Sequence, residues 1–281
     1  MSRSWDEAPP AKSTGNYLIL DGVGGTPKGK TNPMAGTFNW ADKNKAPKGK
    51  TPLEQGGGPV TKTATVASAT GFGVEGNARH AIVAIANLGT LPDTVNMIGW
   101  SRGAVTALVI AKLLYDPSTT EGLFRQIKVN IFAIDPVAGA DAGIGPNAEG
   151  RRLIPPNVKN YLGIISTGEN RNTFKPQDLA RVHIADLSSN VMFLPFPGKH
   201  SSSPQNNDPK ALEISHIGWS LAVQFLTFFG TPCERPMHIF SVQDHLEKYS
   251  YILSNYKQFA KIKQSGFKQP SSDGFWQTGH Q

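Results

Sequence analysis

A seven-residue run, Thr94–Trp100, passes into an unbroken helical pattern from Gly103 to Tyr115, with only Ser101 and Arg102 between them. The first segment has the length and apolar content of a buried strand, and the second is too long and too rich in Ala, Val and Leu for anything but a helix. A strand feeding directly into a helix restricts the chain to architectures built from βα units. The same alternation recurs elsewhere. Tyr17–Leu20 is a short apolar run ended by Asp21-Gly22, and Asn77–Leu88 carries Ile82, Ile85 and Leu88 at helical spacing. Lys128–Ile134 and Tyr161–Ile165 read as strands, with weaker ones at Val182–Leu187 and Val191–Phe196. Leu212–Phe229 is a long apolar helix, and a final helix over Val242–Ile262 carries a stripe of Leu246, Tyr249, Leu253, Tyr256 and Ala260. Apolar runs separated by helices predict an α/β fold with a mainly parallel sheet flanked by helices. The 281 residues suffice for one such domain, expected over residues 1–264, with a disordered tail at 265–281.

One segment breaks the pattern. From Asp21 to Pro59, 14 positions are Gly or Pro, and six Lys stand against three acids. Such a stretch cannot offset its backbone entropy by apolar burial, so it reads as a flexible excursion. It contributes +3 to a formal net charge of +7. The aromatic residues sit in core-like positions rather than among the lysines, which argues against nucleic acid as a partner. A single cysteine, Cys233, excludes an internal disulfide framework and a Cys-based zinc site. No apolar h-region follows Met1 and no run approaches 18 apolar residues, so a cytoplasmic protein without a Sec-type signal or a membrane span is expected.

Three motifs compete for the chemistry. Gly24-x-x-x-x-Gly29-Lys30-Thr31 matches the phosphate-cradling loop, and Asp135 after an apolar strand could supply the magnesium-linked acid. That chemistry needs a helix beginning at Lys30, whereas Thr31-Asn32-Pro33-Met34-Ala35-Gly36 has no apolar stripe. Gly71-x-Gly73-x-x-Gly76 matches the dinucleotide fingerprint, but its flanks lack the strand and the ribose-binding acid. The third is Gly99-Trp100-Ser101-Arg102-Gly103, with the serine at the strand–helix junction. That context is a nucleophile elbow: a strained turn that exposes the hydroxyl and aims the Arg102 N–H at a developing oxyanion.

A serine nucleophile needs a base, and the base an orienting acid. His200, in the turn-rich Phe196-Pro197-Gly198-Lys199-His200-Ser201 after a strand, is the candidate base, with His216 inside a helix pattern as the alternative. Two acids qualify. Asp135 ends the strand after the nucleophile strand, and Glu169 lies one strand later.

The stretch Gly99-Trp100-Ser101-Arg102-Gly103-Ala104 resembles the Gly-Phe-Ser-Arg-Gly-Ala elbow of a group of bacterial and fungal α/β-hydrolases that includes phospholipase effectors of type VI secretion systems. Asp21-Gly22-Val23-Gly24 is similar to that group's Asp-Gly-Thr-Gly turn, and Asp135-Pro136-Val137-Ala138-Gly139 to its Asp-x-Val-Gly turn. Glu169-Asn170-Arg171 with Phe174 resembles Asp-Glu-x-Arg-x-x-Phe, and Phe196–Ser201 resembles Phe-Pro-Gly-x-His-Ser. Ser202-Ser203-Pro204-Gln205 stands where the group has Asp-x-Gly-Gly-Gly. The resemblance, over about residues 17 to 230, implies a Ser101/Asp135/His200 triad acting on an ester, with a lipid as the expected substrate.

The expectation is therefore a serine hydrolase of carboxylic esters, a lipase or phospholipase, using no metal or organic cofactor. The N–H groups of Arg102 and of Gly22 or Val23 would form its oxyanion hole. Anionic membrane, a secretion-system component and an immunity protein are the partners such an effector would meet, after export without a Sec signal into a target cell. The alternatives are an ATPase using Lys30, Thr31 and Asp135, or a catalytically silent hydrolase scaffold that binds a partner through the basic loop.

Overall fold

Runs of Val, Ile and Phe form the strands here, and the four main strands pair in the order the chain makes them. The computed structural model describes residues 18–20, 38–40, 74–88, 90–120, 122–138, 149–169, 176–204, 212–231 and 241–255. The chain runs through β1 (Leu18–Leu20), β2 (Phe38–Trp40), α1 (Val74–Ala86), β3 (Thr94–Trp100), α2 (Arg102–Tyr115) and the short α3 (Pro117–Thr120). It continues through β4 (Lys128–Ile134), a 3₁₀ turn at Glu149–Arg151, β5 (Leu153–Ile154), β6 (Val158–Ser166) and β7 (His183–Ile184). β8 (Asn190–Phe196), α4 (Leu212–Phe228) and α5 (Val242–Ser254) complete it.

β3, β4, β6 and β8 form a wholly parallel sheet in the order β3-β4-β6-β8, flanked by helices as the sequence predicts. Alternation along the strands sends side chains to two faces. Met97, Val129, Ile131 and Tyr161 pack with Leu108 and Leu114 of α2 and Ala78 and Ile82 of α1. On the other face Phe132, Ile134, Ile164 and Phe196 pack with Ile214, Ile217 and Phe225 of α4 and Ile252 of α5. Each such side chain taken fully from water contributes about 1.5–3 kcal/mol. Tyr161 is almost wholly buried, and burial pushes its phenol far above the ordinary tyrosine range.

A row of asparagines crosses that second face. Asn130 donates to Asn96 at 2.8 Å, Asn160 to Asn130 at 2.7 Å, and Asn190 to Asn160 at 3.0 Å. Asn96 closes the row by donating to Phe229 O and Thr231 Oγ1, both at 2.8 Å, just beyond α4. The four asparagines occupy aligned register positions near the start of their strands. The row thus pins the sheet and the end of α4 away from the strands' C-terminal ends.

Several elements depart from expectation. β1 does not join the parallel sheet; it pairs antiparallel with β2, which lies inside the segment read as a flexible excursion. The rest of Asp21–Pro59 lies outside the described residues, as does the tail from 265. The strand expected at Val182–Leu187 shortens to β7, which pairs with the unforeseen β5. Its early end has a local cause: Asp186 Oδ1 accepts the Ser188 N–H at 2.9 Å and turns the chain. α5 begins at a capping box made by Ser241 and Asp244. Its stripe of Leu246, Tyr249 and Leu253 faces solvent, while Ile252 is the side chain that enters the core; Tyr256 and Ala260 lie outside the described residues.

Candidate active site

β3 ends at Trp100, α2 begins at Arg102, and Ser101 makes the whole connection. The abrupt turn forces Ser101 to φ 56° and ψ −122°, a region side chains ordinarily avoid. Holding a non-glycine residue there costs about 1–3 kcal/mol and persists only where the surroundings over-determine it. They do so here: Ser101 N–H donates to Ile134 O at 2.9 Å, and Ser101 O accepts from Val137 N–H at 3.3 Å. Gly99 is obligatory for the same turn, because a Cβ there would lie 2.4 Å from Ala104 N and from Gly103 C. Gly103 is not, since a Cβ there meets nothing within 4 Å.

Ser101 is 5% exposed, and its Oγ makes no hydrogen bond among the described residues. It does not cap α2. The first backbone N–H groups of that helix, Arg102's among them, are therefore not taken by the Ser101 side chain.

Asp135 follows β4 directly and also takes a positive φ, 43°. An aspartate tolerates this conformation better than most residues. Its N–H donates to Ile164 O at 2.7 Å, and its Oδ1 accepts from Ser166 N–H at 2.9 Å. Its Oδ2 lies 2.6 Å from His200 Nδ1, with both side chains almost wholly buried. That contact sets Nδ1 as the protonated nitrogen and leaves Nε2 as the one able to accept a proton.

His200 sits in a turn after β8 that requires Gly198 at φ +101°, where a Cβ would lie 2.7 Å from Ser202 Oγ. Lys199 N–H donates to that Ser202 Oγ at 3.1 Å, closing the turn. Glu169, fully buried, accepts the His200 backbone N–H through Oε2 at 3.2 Å. Beside Asp135, Pro136 O accepts from Gln177 N–H at 2.8 Å, and Val137 bridges to Pro176. The neighbouring Asp178 pairs with Arg181 at 3.0 Å, while burial pushes its carboxyl above the usual range.

The sites named from sequence divide accordingly. Asp135 and His200 are in direct contact, and Ser101 is bonded through its backbone to Ile134 and Val137, which bracket Asp135-Pro136. The imidazole is met by Asp135, whereas Glu169 meets His200 at the main chain. His216 lies in α4, partly exposed. Gly22 and Val23, and Gly24, Gly29, Lys30 and Thr31 of the phosphate-loop match, lie outside the described residues. Both carboxylate oxygens of Asp135 are already engaged. Among the described residues no group of three or more His, Cys, Asp or Glu side chains gathers as a metal-ligand set. Nor is any helix there long and apolar enough to cross a membrane.

No protein-family model matches the chain, and no curated protein matches it. Solved structures do. One is the Tle1 effector bound to the VgrG spike of the type 6 secretion system: 20% identity, TM-score 0.33, covering 50% of this chain and 32% of that one. Another is an uncharacterized protein from Pseudomonas aeruginosa: 16% identity, TM-score 0.37, covering 68% and 31%. The chain thus spans about a third of the length of each of these proteins. Likenesses this distant assign it no function.

Two contributors escape a reading by sequence alone. Ser166 acts through its backbone N–H, which any residue except proline would supply. Trp100 touches His200 across a sequence separation of 100 residues, with no local pattern to announce it.

Proposed function

We propose that this protein is a serine ester hydrolase in which Ser101 is the nucleophile, His200 the general base and Asp135 the acid that orients it. The observation carrying the reading is the strained, buried Ser101, its hydroxyl unbonded among the described residues, fixed beside a buried Asp135–His200 pair. A structural serine at a helix start would cap it, and this one does not.

In the proposed reaction Ser101 Oγ attacks the ester carbonyl while its proton passes to His200 Nε2. The carbonyl electron pair moves onto oxygen, facing the Arg102 N–H at the positive end of α2. A second donor from Gly22 or Val23 completes the hole. Collapse expels the alcohol, which takes the proton from His200 and leaves an acyl group on Ser101. Water, deprotonated by the same Nε2, then releases the acid. Asp135 stays ionised throughout and balances the imidazolium. No metal or organic cofactor enters these steps.

A lipid ester is the proposed substrate class, which makes the protein a lipase or phospholipase that docks on anionic membrane. Support comes from the outward apolar stripe of α5 and the surplus of basic charge. A role as an exported effector, with a secretion-system partner and an immunity protein, rests on the sequence resemblance. Labelling with a fluorophosphonate tests the chemistry: wild type should be labelled and Ser101→Ala should not. Equal labelling of the two would remove Ser101 from the reaction. Turnover of phospholipids, triglycerides and short aryl esters, measured side by side, tests the substrate class.

A further inference from the structure

His200 has a neighbour that the three-residue scheme does not use. Its imidazole lies against the indole of Trp100, ring centroids 5.2 Å apart and planes 30° from parallel. The same indole donates its Nε1–H to the His200 carbonyl at 3.1 Å. One side chain thus holds both the ring and the backbone of a single residue. Trp100 immediately precedes Ser101, so this holding group hangs from the strand that presents the hydroxyl.

We infer that Trp100 is a positioning residue for His200, holding its main chain through the indole N–H and its imidazole through the stacked ring face. The inference rests on the assignment of His200 as the general base. The contact falls within the range of offset-stacked pairs, so it limits rotation of the imidazole about its Cβ–Cγ bond. The other groups facing His200 act from different directions. Asp135, from the end of β4, binds Nδ1, and Glu169, from beyond β6, binds the backbone N–H. Both His200 main-chain polar groups are therefore taken by side chains that approach from other strands. A Phe, which the resembling elbow carries at this position, would stack on the ring but could not donate to the carbonyl.

The test uses the full-length chain with Trp100→Phe, Trp100→Leu and His200→Gln. Fluorophosphonate labelling is followed at saturating and limiting probe. Trp100→Phe should lower the maximal labelling rate by roughly 2- to 30-fold and shift its pH profile, with half-saturation within about twofold. Trp100→Leu should lose more. Independently of any chemistry, a protonated imidazole quenches an adjacent indole. Wild-type tryptophan emission should therefore contain a component that falls on acidification and is missing from both Trp100→Phe and His200→Gln. An unchanged rate and pH profile in both Trp100 variants would overturn the inference, as would an emission component that survives Trp100→Phe. Should Trp100→Phe not fold, the emission difference between wild type and His200→Gln decides. Should wild type not be labelled at all, the hydrolase reading fails, and the emission component alone decides whether Trp100 holds His200.

Discussion

Asp135 and Glu169 are both fully buried carboxylates within hydrogen-bond reach of the same histidine, yet they bind different atoms of it. That difference separates their expected substitution effects. Asp135→Asn cannot accept from Nδ1–H and balance a charged ring as well, so labelling or turnover should fall about 10,000-fold. Glu169→Gln retains an oxygen to accept the His200 backbone N–H and should lose less than about tenfold. Comparing kcat/KM of the two variants on one aryl ester checks this. The reverse ranking would transfer the orienting role to Glu169. In the sequence the two acids are equivalent candidates, because each follows a strand. Only the approach of the chain in space shows which oxygen meets the ring.

At the scale of elements, the elbow and the asparagine row make opposite demands on single residues. Gly99→Ala drives a Cβ into the backbone of Gly103 and Ala104, which cannot yield, and should destabilise by about 3 kcal/mol. Gly103→Ala puts a methyl into open space inside α2 and should stabilise by up to about 1 kcal/mol. Urea unfolding of both variants gives the comparison. In the asparagine row, Asn130→Ala removes the partner of both Asn96 Oδ1 and Asn160 Nδ2 and should cost about 2–3 kcal/mol by the same assay. Legibility followed the same divide between local and non-local causes. β3 and β4 match their sequence-predicted bounds because continuous apolar runs leave a buried strand no alternative. β5 is only two residues long and is defined by its partner rather than by its own pattern. The asparagine row did leave a trace, since Thr94-Val95-Asn96 and Lys128-Val129-Asn130 open their strands alike. Its meaning depended on a register that no single strand contains.

For the whole molecule, the +7 charge and the outward face of α5 belong to one prediction. Val242, Leu246, Tyr249 and Leu253 recur at helical spacing and are each more than half exposed. An apolar stripe on a protein of net positive charge can bind an anionic lipid surface through both burial and charge. Flotation with anionic vesicles should therefore recover the protein at low salt and less of it at high salt. The double variant Leu246→Asp/Leu253→Asp should weaken binding at least about tenfold without affecting fluorophosphonate labelling. Binding indifferent to salt, to anionic lipid and to this variant would remove the docking surface.

Every strand of the parallel sheet ends in a different part of the candidate site. β3 delivers Trp100 and Ser101, β4 Asp135, β6 the Ser166 N–H and Glu169, and β8 His200. No subset of strands assembles it, and the last part arrives only when β8 has docked at the far edge. A nascent or partly unfolded chain would hold Ser101 without its base or the base without its orienting acid, and so would be inert. Under the proposed lipase reading, a cell making the protein would thereby be shielded from unfinished copies, because completing the sheet is the event that brings the proposed triad together.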